Sequence, residues 1–150
     1  MLLNNTIMFE KVDLIQLREF PLKLKEGFEI TPDILTNTKV GLSLRFQYQE
    51  TAEDVVAMHI IVSVVNADDG DFIMRTGATI VFRYEGWQDM PHEVEAVRAD
   101  SNVVDIAHYL IGIESGMFFK TMHEYIPEST PILPFFNENE VIAKMSVEQV

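Results

Sequence analysis

The residues best equipped for metal chemistry are two histidine–glutamate pairs, His92-Glu93 and His123-Glu124, which supply the first two letters of the zinc-protease helix motif. That motif needs a second histidine four positions on, and Ala96 and Pro127 stand there instead. Asp89, His92, Glu93 and Glu95 would serve a metal only if a loop gathered them, and a solvated acidic loop accounts for them more simply. Asn66-Ala67-Asp68-Asp69-Gly70-Asp71 has the composition of a calcium loop, but its glycine is fifth rather than sixth and no bidentate glutamate follows at the required distance. A hairpin turn explains it better. His59 falls in the middle of an extended run, on its more polar side, as a sheet-surface residue would rather than a general base. No serine sits in a nucleophile elbow, no glycine-rich phosphate loop is present, and the lack of cysteine removes thiolate chemistry and disulfides. The expectation is a chain that acts by contact and not as an enzyme, with no catalytic residue, metal or cofactor.

The charge balance narrows the partners. With 24 Asp and Glu against 11 Lys and Arg, the chain carries a formal charge of −13. Such a surface repels phosphate backbones and anionic membranes, so neither nucleic acid nor a membrane is expected as a partner. Acidity also keeps a protein with exposed apolar surface in solution. The 150 residues, 47% of them hydrophobic, predict one domain over 1–150 with a real core. The first ten residues lack a basic region ahead of an apolar one, and Asp105, His108 and Glu114 interrupt the one long apolar stretch. A cytoplasmic location is expected.

The elements that must position any contact surface are marked by a change of period. Val40, Leu42, Leu44, Phe46 and Tyr48 alternate with polar residues, Val55 to Val65 is apolar on both sides, and Phe72, Met74, Thr76, Ala78, Ile80, Phe82 and Tyr84 alternate again. Two alternating runs around a central β-branched one, three strands joined by short polar turns, predict an antiparallel meander. Residues 7–30 also read as extended, with Phe20, Leu22, Leu24, Phe28 and Ile30 on one face and Pro21 confining the segment to an edge or a break. Residues 85–101 read as a loop.

Residues 102–126 then read as one long helix, with N-caps on offer at Asp100, Ser101 and Asn102. At 100° per residue, Val104, Ala107, Ile111, Phe118, Met122 and Tyr125 form one apolar stripe and Ile106, Leu110, Ile113 and Met117 a second. One stripe can lie on the sheet, and the other needs another cover. Gly112 and Gly116, four apart on the narrow polar side, would let a second backbone approach. The segment therefore predicts a subunit interface through Ile106, Leu110, Gly112, Ile113, Gly116 and Met117, with a second helix of the same chain as the competing cover. Pro127 and Pro131 end the helix. Asn137 with Glu140 has capping-box spacing and Phe136 with Val141 staple spacing, predicting a short last helix over about 138–147. Phe135 and Phe136, in a proline-framed loop, together with Trp87 and Met90 could border a groove for varied extended segments.

This layout resembles SecB, the bacterial export chaperone family. Ile106-Ala107-His108-Tyr109-Leu110-Ile111-Gly112 is similar to the start of that family's long helix, and Leu133-Pro134-Phe135-Phe136-Asn137 to its approach to the last helix. The resemblance implies an α+β fold: a twisted antiparallel sheet of four strands, or slightly more, followed by a long helix and a short C-terminal one. It also implies a tetramer built as a dimer of dimers and an ATP-independent holdase for unfolded or partly folded clients, in grooves lined by Ile132, Phe135 and Phe136. At one place the pattern departs. The family's exposed sheet face is acidic and docks a basic tail of the export ATPase, whereas here it carries Arg45, Arg75 and Arg83 with His59, so no docking residue carries over, and a role in protein transport stays as what the resemblance implies.

Two functions from different classes follow. The first is a SecB-like holdase acting through an apolar groove. The second is a dedicated binding protein on the same scaffold, serving a single partner such as an antitoxin or a phage protein. An enzyme assembled from distant residues, such as His59 or His92 with nearby acids, ranks last.

Overall fold

The computed structural model describes residues 9–33, 36–50, 53–134 and 136–150. The expectations placed on the first eight residues and on Phe135 lie outside them. The period-two runs form strands as expected: β1 is Val12–Leu24, β2 Thr38–Tyr48, β3 Val55–Asn66 and β4 Phe72–Tyr84. All three contacts among them are antiparallel, in the order β1-β4-β3-β2. Residues that pair in register share a face. One face is therefore lined by Leu44, Phe46, Met58, Ile60, Ile80 and Phe82, all buried. The other carries Arg18, Arg45, His59, Arg75 and Arg83.

Asn66–Asp71 is a hairpin turn. Its Asn66 Oδ1 accepts from Asp68 N at 2.8 Å, Asp69 Oδ1 accepts from Asp71 N at 2.8 Å, and Gly70 takes φ +74°. Edge strand β1 loses register between Phe20 and Lys23, around Pro21, where a missing N–H does least damage. That break corrects the single face expected for this segment: Phe20 turns outward over Gly77, while Leu22, Leu24 and Ile30 pack toward the core. The strand stops at Leu24, short of residue 30.

A fifth strand, β5 (Ser146–Gln149), pairs parallel with β2 and makes the sheet mixed. Sequence reading placed residues 146–147 in a helix. Four residues with one aliphatic side chain carry no period, and only the neighbour's open edge makes them a strand.

Two short helices complete the inner layer: α1 (Val94–Ala99), in the segment read as a loop, and α3 (Glu138–Ala143). Between them runs α2 (Ser101–Tyr125), capped by Asp100, whose Oδ2 accepts from Val103 N at 3.1 Å and from the Tyr84 hydroxyl at 2.8 Å. The buried side of α2 holds Val103, Ile106, Ala107, Leu110, Ile111, Glu114, Phe118 and Met122. It thus takes residues from both predicted stripes. Ile106 and Leu110 share one buried cluster with Val97 of α1, Ile142 of α3 and Met145, and both short helices pack on α2. Both side chains are fully buried and present nothing to a second copy, which corrects their assignment to a subunit interface. Toward the C-terminal end of α2, a second cluster joins Phe118, Met122 and Ile126 to Val62, Val64, Ile73 and Met74.

Gly77 is the tightest point of the sheet. A Cβ there would meet the carbonyl oxygen of Ile60 on the adjacent strand and come within 3.1 Å of the Phe20 ring. Because a backbone oxygen cannot swing aside, Gly77→Ala is expected to destabilise the protein by about 1–3 kcal/mol. Gly41→Ala, whose Cβ would have only Ser63 O at 4.0 Å, should be far milder. Urea denaturation of the two variants checks the contrast, and equal midpoints would refute the close approach.

Candidate functional site

The surface best suited to contact lies where β2 has no strand neighbour on one side. β3 pairs with β2 across Thr38–Tyr48, but β5 reaches only Arg45–Tyr48. Over Lys39–Leu44, one edge of β2 therefore has no strand partner among the described residues. An open edge is a template for another extended chain.

Two segments flank this edge. The connector after α2 begins with Ile126 and a 3₁₀ turn at Pro127–Ser129, then runs through Pro131 and Pro134. Thr130 ties it back to the helix end: its hydroxyl donates to Ile126 O at 3.1 Å and lies 2.7 Å from His123 Nδ1. Leu133 packs on the second core cluster, as Val40 and Leu42 of β2 do, whereas Ile132 is 66% exposed. α3 starts at Asn137, whose Oδ1 accepts from Glu140 N at 3.2 Å, a cap that contributes about 1 kcal/mol. The Glu140 carboxylate meets Lys144 at 3.3 Å, one turn on. His108 joins α2 to α3 through Glu138 at 3.1 Å, a half-exposed contact that contributes less than about 1 kcal/mol.

Between this frame and the β2 edge opens a cavity of about 330 Å³. Leu42, Leu44, Phe136 and Val141 give it apolar walls, and Asn137, Glu140 and Lys144 a polar rim. The arrangement offers backbone groups on one side and a hydrophobic pocket on the other, which together hold an extended peptide without reacting with it.

The expected groove residues divide. Phe136 lines the cavity, and Ile132 stands exposed on the connector. Trp87 does not belong to the site. It is fully buried, with Phe46 at 5.1 Å, Tyr48 at 5.3 Å and the His92 ring stacked at 4.2 Å. Met90 is half-buried against the same cluster and lines none of the cavity. Both are corrected for one reason: the segment after β4 folds inward as a 3₁₀ turn, Trp87–Asp89, instead of standing out as a loop. Leu42, Leu44 and Val141 were missed as site residues because their alternation and staple spacing already explained them as core.

The remaining interface candidates do lie outside the core. Ile113 and Met117 are partly exposed, and Gly112 and Gly116 are exposed, with nothing within 4 Å of an added Cβ. The candidate bases have structural partners. His59 bonds Thr79 and Gln47 at 2.6 and 2.7 Å, and His92 Nε2 donates to Trp87 O at 2.7 Å. No helix among the described residues is long and apolar enough to cross a membrane.

No protein-family model matches the chain, and no curated protein does. Among solved structures it is similar to the Mycobacterium tuberculosis SecB-like chaperone Rv1957, determined in complex with a ChAD peptide from the Rv1956 HigA1 antitoxin. The TM-score is 0.54 at 11% identity, over 84% of this chain and 91% of that one. It is also similar to a Streptococcus agalactiae protein of unknown function, with TM-score 0.45 and 13% identity over 86% of this chain and 100% of that one. The first likeness shows a SecB-like fold.

Proposed function

We propose that this protein is a SecB-like holdase, which binds unfolded or partly folded polypeptides without ATP and without catalysis. The observation that carries the reading is the open Lys39–Leu44 edge of β2 beside the cavity of Leu42, Leu44, Phe136 and Val141. An extended client segment would pair with that edge and set alternate side chains into the cavity. Ile132, exposed on the connector, would extend the apolar wall. A second copy would cover the Ile113–Met117 side of α2, with Gly112 and Gly116 admitting its backbone, in a homo-oligomer that is a dimer or a tetramer. A cytoplasmic location fits this role.

The second reading, a binding protein dedicated to one partner, is supported by the antitoxin peptide held by the similar Mycobacterium tuberculosis chaperone. Aggregation of a urea-unfolded client, followed by light scattering, separates the two. A holdase should suppress aggregation at stoichiometric ratio, and Ile132→Asp and Phe136→Asp should each weaken suppression severalfold. Ile132 is exposed, so its variant tests the surface without threatening the fold. Full suppression by both variants removes the groove. No suppression by the parent protein, which remains well folded, favours the single-partner reading.

A further inference from the structure

The outer face of the sheet collects most of the positive charge of an acidic chain. Register puts Arg18, Lys23, Lys39, Arg45, Arg75 and Arg83 on it, six of the 11 lysines and arginines. Among the described strand residues only Asp13 and Glu148 bring carboxylates to the same face, and Arg45 already engages Glu148 at 3.0 Å. Solubility does not call for this segregation, since a uniformly acidic surface serves it as well.

Between the cations lies an apolar floor that no helix covers among the described residues. Ala57, Ile61 and Val65 of β3 point outward and are half-buried. Phe20 lies over Gly77 and stacks on His59 at 6.2 Å, and the Arg75 guanidinium sits 5.1 Å from the centre of the Phe72 ring. A depression of about 290 Å³ opens over Ala57 and Val81, with Arg18 beside it. A polar row crosses the floor from Thr79 through His59 and Gln47 to Glu148 and Arg45, each contact within 3.2 Å. Burial, and then Arg45, lowers the pKa of His59, so arginine and lysine carry the charge of this face at neutral pH.

We propose that the outer sheet face docks an acidic polypeptide segment of a partner protein, with apolar side chains spaced between its carboxylates. Charge complementarity selects the carboxylates, and the half-buried floor selects the apolar residues. A nucleic acid fits less well: the rest of the chain carries the bulk of the acid and repels a long polyanion. A second copy would have to bring an acidic patch from another face, a head-to-tail contact that builds a ring or an open filament instead of an isologous pair.

Fluorescence anisotropy tests this with a labelled peptide alternating glutamate and valine, its lysine-for-glutamate counterpart, and a single-stranded oligo-dT of matched charge. The acidic peptide should bind at low salt and weaken severalfold at physiological salt, and the basic one should not bind. Combined Arg18→Glu, Arg75→Glu and Arg83→Glu should weaken it by about tenfold or more, with the thermal midpoint and client suppression retained. Lys11→Glu, Lys25→Glu and Lys120→Glu change the net charge equally from elsewhere and should leave most of the binding. Equal loss in both triple variants, undiminished binding by the first, or oligo-dT binding as tight as the peptide would overturn the proposal. So would salt-sensitive growth of scattering by the protein alone, which assigns the face to a second copy. Client suppression through the β2 groove is read separately, so either proposal can fail without the other.

Discussion

Trp87→Ala is expected to cost about 3–5 kcal/mol, most of the stability of an ordinary domain. The indole is fully enclosed by Phe46, Tyr48, Tyr84 and His92, with ring centres between 4.2 and 5.9 Å away. Its loss leaves a void where the inner face of β2 meets the turn after β4. That turn is also pinned from β3's approach, because Asp54 accepts from Gln88 N at 3.1 Å, so the walls are held too far apart to collapse. Trp87→Phe should cost less: the indole Nε1 has no hydrogen-bond partner among the described residues, and phenylalanine removes that orphan donor with part of the volume. Chemical denaturation followed by circular dichroism measures both. As the chain's only tryptophan, Trp87 is also its own probe. Its emission should stay that of a buried indole when a client peptide binds, and a shift would return it to the groove.

The sheet was legible because its signal is local and redundant. Eleven residues of β2 and thirteen of β4 repeat the same alternation, the twelve of β3 between them form a β-branched apolar run, and the turns that join them are equally plain in their chemistry. The helix α2 was legible for the same reason, but what covers it was not. Two apolar stripes say that a second cover exists; they do not say whether it belongs to the same chain. The answer lay in α1 and α3, helices of six residues each that are too short to carry a period. Trp87 illustrates the same limit from the side of function. An aromatic in an acidic, glycine- and proline-bearing segment reads as exposed, and only the inward 3₁₀ turn, entered through Gly86 at φ +82°, makes it core. The arginines were visible one by one along β2 and β4, yet their concentration became plain only when register joined Arg18 and Lys23 of β1 and Lys39 of β2 to them.

Glu114 should make the protein lose stability as the pH rises. On the helical wheel it falls between the two apolar stripes, so a helix that buries both must bury it too. It is fully buried, and neither carboxylate oxygen has a hydrogen-bond partner among the described residues. Burial, with a smaller contribution from the negative charge of Glu19, pushes its pKa from the ordinary 4.5 up to about 7. Between those values the folded state holds a proton that the unfolded chain has released, so folding stability falls as pH rises from about 4.5 to 7 and then levels off. The full penalty above pH 7 is on the order of 3 kcal/mol. Glu114→Gln keeps the shape and removes the titration. Its stability relative to the parent should be least distinct near pH 5 and should gain most by pH 8, read from urea midpoints at the two pH values. A difference between the two proteins that does not change with pH would refute the buried, unpaired carboxylate.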